Sequence, residues 1–318
     1  MIFLSIFAEL LINSRALIVK YNGKLYFPTY TSFHPGSDFD QNYDYEVNYR
    51  QLQKLFEEQK NENYVVMPII PYNEYENDLK DGEYPPTPPQ KNEGHLLGTD
   101  TSGRDVFARL VYGFRIAISF SLILLCCDYL IGVSLGCLMG FIGGKFDLFF
   151  QRAIEIWSNV PFLYIVIIIS SIMIPNFFTL IGIMVFFGWM HMTWYMRTST
   201  YKEKAREYVM AARALGASNK RIIFNHILPN SVSIIVTFIP FSVAAGISSL
   251  TSLDYLGFGL PAPVPSWGEL LHQGTNNMGA YWIVSSVVIS MILILVMVTF
   301  IGEAVREAFD PKKHTTYE

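Results

Sequence analysis

Tyr208-Val-Met-Ala-Ala-Arg-Ala-Leu-Gly216, followed by Ile227-Leu-Pro229, is a polar, alanine-rich stretch lying between two apolar runs of membrane length. A loop that only joins two membrane helices has no need of such a composition. Glu203, Ala205, Arg206, Ala211, Ala212 and Leu215 are good helix formers, so residues 203–215 are expected to be helical. Gly216 stands where a left-handed C-cap is wanted, and Ser218 can cap a second short helix that Pro229 is expected to close. Two short helices with small residues at their bend would present a knob that a groove on another protein can grip. The plainer alternative is an ordinary amphipathic connector.

Outward from this loop the chain reads as an all-α membrane protein. Hydrophobic residues make up 51% of its 318 residues, charged residues only 16%, and mean hydropathy is +0.30. Apolar runs cover 116–141, 156–174, 177–196, 231–253 and 281–302, each near the roughly 20 residues a helix needs to cross the hydrocarbon layer. Met1 to Ile12 is a further apolar run, too short to span alone, and is read as the remnant of an incomplete first helix, six in all. A secretory signal is the alternative there, but no Lys or Arg precedes the run and no small-residue cleavage site follows it.

Segment 197–226 carries Arg197, Lys202, Lys204, Arg206, Arg213, Lys220 and Arg221 against Glu203 and Glu207, which places it in the cytoplasm. No Lys or Arg occurs from 153 to 196 or from 222 to 305, so 175–177 and 254–280 face outward. By alternation 13–114 lies outside and the C-terminus inside, with positions 60 and 265 outside and 204 and 315 inside. Arg104, Arg109 and Arg115 run against this rule.

Residues 13–95 form a polar, Tyr- and Asn-rich extramembrane insert that is expected to fold only in part. Leu25-Tyr-Phe27 suggests a strand, and Leu52, Leu55 and Phe56 suggest a helix over 47–60. Pro85-Pro-Thr-Pro-Pro89 suggests an extended spacer holding the insert off the membrane. Leu97 to Gly113 follows, with Ser102 and Asp105 at capping-box spacing and Val106, Phe107, Leu110 and Val111 in one stripe, as in a short interfacial helix. Leu253 to Leu271 is rich in Gly and Pro and must turn back at the outer surface, where Trp267 and Tyr255 suit the interface. Cys126, Cys127 and Cys137 share one membrane helix, where no disulfide framework is plausible. The six histidines lack ligand spacing, so no metal site is expected, and Gly144-Lys145-Phe146 is not a phosphate loop. Any nucleotide chemistry must therefore come from a partner.

The 203–229 stretch resembles the coupling loop of ABC importer permeases, with Ala211, Ala212, Gly216, Leu228 and Pro229 in register. Met210 stands where that pattern has Glu, and His226 where it has an apolar residue. The 97–113 block resembles the C-type subunit of dipeptide and oligopeptide permeases through Gly98, Asp100, Gly103, Arg104, Asp105 and Gly113. The 253–271 loop is similar to one likened in those permeases to a scoop, here Asp254, Gly257, Gly259 and Pro261. The resemblance covers about 96–311, and Gly-Lys-Leu-Tyr-Phe-Pro at 23–28 with the insert brings the chain nearest the Yej-type branch, importers of oligopeptides and microcin C-like compounds.

That resemblance implies a type I ABC importer permease of six transmembrane helices in the bacterial inner membrane, its transmembrane domain at 96–302 and a cytoplasmic tail at 303–318. It implies a B-type permease partner, a cytoplasmic ABC ATPase carrying ATP and Mg, and a periplasmic peptide-binding protein. No cofactor on this chain, no catalytic residue and no nucleic-acid partner follow from it. The ATPase-coupling residues would be Tyr208, Met210, Ala211, Ala212, Arg213, Gly216, Leu228 and Pro229 within the loop 197–230. A nickel or other small-solute permease of the same fold is the nearer alternative, and an ion-coupled secondary transporter the farther one, for which neither coupling site nor inverted repeat is visible.

Asp128 lies near the middle of a membrane helix, where an ionised carboxylate is costly unless it faces water or a partner. It is either a pathway or inter-subunit residue or a protonated, hydrogen-bonded one. His191, with Trp189 and Trp194, could line the same path or pack against neighbours. Pro161 and Pro240 are expected to kink their helices.

Overall fold

The computed structural model describes residues 7–59, 62–79, 82–90 and 94–309. Positions 60 and 315 of the topology expectation, and most of the 303–318 tail, lie outside them. The chain divides into two compact units, Met1–Ile116 with Ala262–Ser290, and Ala117–Pro261 with Met291–Glu318.

In the first unit, one helical turn, α1 (Ala8–Leu11), ends at Ile12, whose carbonyl accepts from the Tyr112 hydroxyl at 2.9 Å. Residues 1–6 of the expected helix remnant lie outside the described residues. Strands β1 (Ile18–Tyr21) and β2 (Lys24–Tyr26) form a hairpin about Asn22-Gly23, both at positive φ (49° and 77°), as a two-residue turn between right-twisting strands requires. After helix α2 (Tyr49–Gln59), strand β3 (Tyr64–Val66) completes a sheet of order β2-β1-β3, with Val19 opposite both Tyr26 and Val65. Tyr49, Leu52 and Phe56 of α2 close over Val19, Phe39 and Val65.

The insert thus has a hydrophobic core of its own and is not the partly folded segment expected. Leu55 sits at its margin, half-buried. The proline run bends at Pro85-Pro86 instead of standing off as a spacer. Thr87 bonds Thr99 through N–H to Oγ1 (2.8 Å) and through the returning Thr99 N–H to the Thr87 carbonyl (3.0 Å).

Helix α3 (Val106–Ile142) contributes to both units, as does α11 (Tyr281–Ala308). There is no separate interfacial helix at 97–113; its apolar stripe is the opening of α3. Asp105, not Ser102, caps it, the Asp105 carboxylate accepting from Ala108 N–H at 2.7 Å.

Four described segments are long and apolar enough to cross a membrane: Val106–Ile142, Phe177–Lys204, Asn219–Tyr255 and Tyr281–Ala308. The run expected to span at 156–174 is instead a pair, α4 (Gly144–Ser158) and α5 (Phe162–Ile172), meeting at 67°. Counting that pair as one span gives five. The cause is Pro161, which lacks an N–H and disfavours helical geometry at Val160; the Asn159 amide closes α4 by donating to the Glu155 carbonyl at 2.6 Å. Pro240 lies inside the helix Leu228–Tyr255.

Within the second unit, α3 and α6 (Phe177–Lys204) approach through small residues. A Cβ built on Gly132, Gly136 or Gly140 would stand 2.7, 2.6 or 2.6 Å from the carbonyl oxygens of Trp189, Thr193 and Arg197. Repeats of four residues on both helices match, so hydrogen alone fits between the two backbones. At the end of this seam Arg197 grips Asp147 of α4 with Nε and Nη2, the latter at 2.6 Å.

Candidate functional site

The loop after α6 folds as two short helices, α7 (Glu207–Ala214) and α8 (Asn219–Ile222). The expected single helix over 203–215 is interrupted at Ala205 and Arg206, and Arg206 takes extended geometry as the N-cap of α7. Gly216 has φ +80°, and a double cap closes α7: Gly216 N–H to the Arg213 carbonyl and Ala217 N–H to the Ala212 carbonyl, both 3.0 Å. Ser218 caps α8, its hydroxyl accepting from Arg221 N–H at 3.4 Å.

Pro229 does not stop this helix. It occupies the first turn of α9 (Leu228–Tyr255), which α8 enters through a π turn at Ile223–Ile227. Proline supplies no N–H and its ring crowds the carbonyl four residues back, so the wider turn passes the chain through without ending the helix.

The inner face of the loop is fixed by Val209, Ile222, Ile223 and Ile227, buried with Cys137, Phe141, Met192 and Met196. Its outer face leaves Tyr208, Met210, Ala211, Arg213 and Leu215 exposed, Leu215 by 89%. Ala212 and Leu228 are half-buried, and Gly216 and Pro229 are exposed. Tyr208 donates to Glu203, and burial with that carboxylate pushes its hydroxyl up to about 12, so it remains a neutral donor.

The 97–113 block is an ion cluster. Asp100 (0% exposed) accepts from Arg104 Nε at 2.7 Å, and Arg104 Nη2 reaches Glu269 at 2.9 Å. Arg109, also 0% exposed, pairs with Glu269, lies 3.4 Å from Asp100, and donates to the Glu74 and Pro263 carbonyls. Burial alone would lower the Arg104 pKa, but the Asp100 and Glu269 carboxylates outweigh it and hold the guanidinium above its usual value. Two arginines against two carboxylates leave no net charge, and Arg115 pairs with Glu9 at 3.0 Å. Those pairings neutralise the three arginines that run against the topology expected from the positive-inside rule.

Gly98 and Gly103 take positive φ beside this cluster, and a Cβ on Gly98 would meet the Thr87 carbonyl oxygen at 2.6 Å. Ser266 caps α10 (Trp267–Asn276), which carries Glu269. Trp267 is 3% exposed and donates to the Leu110 carbonyl at 2.8 Å, so it is a buried anchor and not the interfacial residue expected. Tyr255 is 37% exposed. In the second unit the Asp254 carboxylate accepts from Leu260 N–H at 2.7 Å, and Gly257 (φ +78°) ends α9 through the Phe258 N–H to Leu253 carbonyl bond. Gly259 lies against Asp254, and Pro261 is exposed.

Asp128 and His191 meet in one place. They line a cavity of about 410 Å³ in the second unit with Tyr129, Tyr195, Ser242 and Ser249. Trp189 and Trp194 do not line it; they pack around Met139, Ile154 and Met190. Glu269 and the Gly132–Gly136–Gly140 seam escaped the reading of the sequence. Arg104 and Arg109, set against the charge rule, signalled the first, and the four-residue glycine spacing signalled the second.

Residues 132–315 match the family described as binding-protein-dependent transport system inner membrane component, and the chain belongs to it. It is a multi-pass inner-membrane protein with the type I ABC importer permease fold, and membership implies work alongside a substrate-binding protein and an ATPase. More narrowly, the chain is 41% identical over 310 residues to the Escherichia coli (strain K12) inner membrane ABC transporter permease protein YejE, covering 98% of this chain and 90% of that protein. Identity is 38% over 334 residues, 98% and 87% of the two chains, to the Agrobacterium fabrum peptidoglycan transport system permease protein YejE. Against the Bacillus subtilis oligopeptide transport system permease protein OppC it is 35%, covering 71% of this chain and 73% of that one. The Yej matches run through the insert, which bears out the resemblance to that branch. Among solved structures, an inward-facing conformation of the MetNI methionine ABC transporter shares the fold at TM-score 0.53 and 14% identity, covering 63% of this chain and 95% of that one.

Proposed function

We propose that this chain is one of two permease subunits of an ATP-driven importer of oligopeptides or peptide-like compounds. The observation that carries this reading is the Yej match over 98% of the chain, insert included, backed by oligopeptide and dipeptide permeases. The chain has no ATPase of its own; a cytoplasmic partner hydrolyses ATP and grips the exposed face around Tyr208, Met210, Ala211, Arg213 and Gly216. Leu228 and Pro229 transmit that push into α9, and the helices swing between inward- and outward-open arrangements as a population shift. The C-terminus is cytoplasmic, a B-type permease completes the path, and the 97–113 block and the Asp254–Pro261 loop meet a periplasmic binding protein. One relative is named for peptidoglycan transport, which favours peptide-bearing wall fragments as a second reading.

Uptake by the complete importer in vesicles tests this. Excess mixed tri- to hexapeptides are expected to suppress entry of a labelled tripeptide, and nickel to leave it unchanged. Suppression by nickel with no effect of peptides would transfer the assignment to the metal alternative. Stronger competition by wall-derived peptides than by mixed ones would select the second reading.

A further inference from the structure

The cavity around Asp128 holds a carboxylate, with His191 the one basic side chain among the lining residues. Asp128 Oδ1 is buried without a hydrogen-bond partner, and no Lys or Arg is among the residues lining the cavity. Lys and Arg are absent from 116–144, 153–196 and 222–305, the apolar stretches within its membrane spans. An unpaired carboxylate inside a bilayer is costly and persists where water or a cation meets it. The site also reserves room for this side chain: Gly188 lies directly against the Asp128 carboxylate, and any side chain there would displace it.

The other groups suit a cation as well. Tyr129 and Ser242, their hydroxyls 2.8 Å apart, and Ser249 line the same cavity and offer oxygen acceptors. Tyr195 and Phe238, with ring centroids 4.2 Å apart, add aromatic faces, which attract an ammonium electrostatically. A volume of about 410 Å³ fits a small ligand group and not a whole oligopeptide, so the cavity reads one part of the cargo.

We propose that Asp128 is a cation-recognition point on the translocation path, taking the free α-ammonium of a peptide in transit. This rests on the peptide-importer reading and adds a specificity-determining residue to it. An ammonium brings three N–H donors, enough for the orphaned Asp128 oxygen and the neighbouring hydroxyls. Such a contact recurs with every free peptide whatever its sequence, and so serves a permease of broad range.

The test compares wild type, Asp128→Asn and Asp128→Glu in the complete importer, reading tri-alanine uptake and co-purification of the subunits. Wild-type uptake is measured first, and its absence would be a failure of the peptide reading, separate from this one. Loss of a charge-assisted hydrogen bond should lower uptake about tenfold or more in Asp128→Asn, while Asp128→Glu stays near wild type and both variants assemble normally. Normal uptake by Asp128→Asn overturns the proposal. Equal loss in both variants overturns it too, since shape and not charge would then matter. Loss of uptake together with loss of assembly overturns it in favour of an ion pair to the partner permease.

Discussion

Replacing Glu269 with Ala is expected to cost about 3–5 kcal/mol of stability in the first unit, because it leaves two buried guanidiniums with Asp100 as their one remaining counter-charge in the cluster. Arg109 is fully buried and Arg104 nearly so, which leaves neither a route to water. The same carboxylate accepts from the Gln273 amide at 2.8 Å, and Gln273 in turn accepts from Thr101, so the loss spreads through α10 into the 97–105 block. Thermal unfolding of the purified protein checks this, with hydrogen exchange at α10 locating the damage. Glu269→Gln retains one acceptor oxygen and should fall between wild type and Ala. An Ala variant within about 1 kcal/mol of wild type would mean that water or another carboxylate already balances the two arginines.

The glycine seam carries the second large effect. Gly136→Ala puts a methyl group 2.6 Å from the Thr193 carbonyl oxygen, a distance no backbone pair tolerates without moving, at a cost of about 1–3 kcal/mol. Gly136→Leu should exceed this and disrupt insertion or assembly. Gly182, on the partner helix α6, has open space around its Cα, so Gly182→Ala is expected to be neutral or to stabilise by up to about 1 kcal/mol through helix propensity. Melting temperatures of the three variants decide the matter. Equal behaviour of Gly136→Ala and Gly182→Ala would remove the close approach of α3 and α6 from the picture.

The parts of this molecule legible in its sequence are those written in local chemistry. Apolar length marked the spans, Pro161 marked the break between α4 and α5, and Gly216 with Ser218 marked the bend of the 203–229 loop. Of the three strands, β2 was legible at Leu25-Tyr-Phe27, whereas β1 and β3, four and three residues long, are too short for alternation to register. The ion cluster joins Arg104 to Glu269 across 165 residues, and nothing in either neighbourhood names the other. Pro229 misled for a different reason: a proline that ends helices in most contexts is accommodated here by a π turn. Asp128 stood out as a charge in an apolar run, but only the fold brings it beside His191 and against Gly188.

The claim that α7 and α8 form the contact through which ATP hydrolysis drives this subunit is open to one direct measurement. Leu215 lies at the tip of α7, 89% exposed and outside the apolar cluster that holds the loop's inner face. A photo-activatable side chain placed at position 215 in the assembled importer should become covalently joined to the cytoplasmic ATPase subunit on illumination. Capture of the ATPase in high yield is the expected result. Attachment to the periplasmic binding protein, or to lipid alone in a complex that hydrolyses ATP, would contradict it.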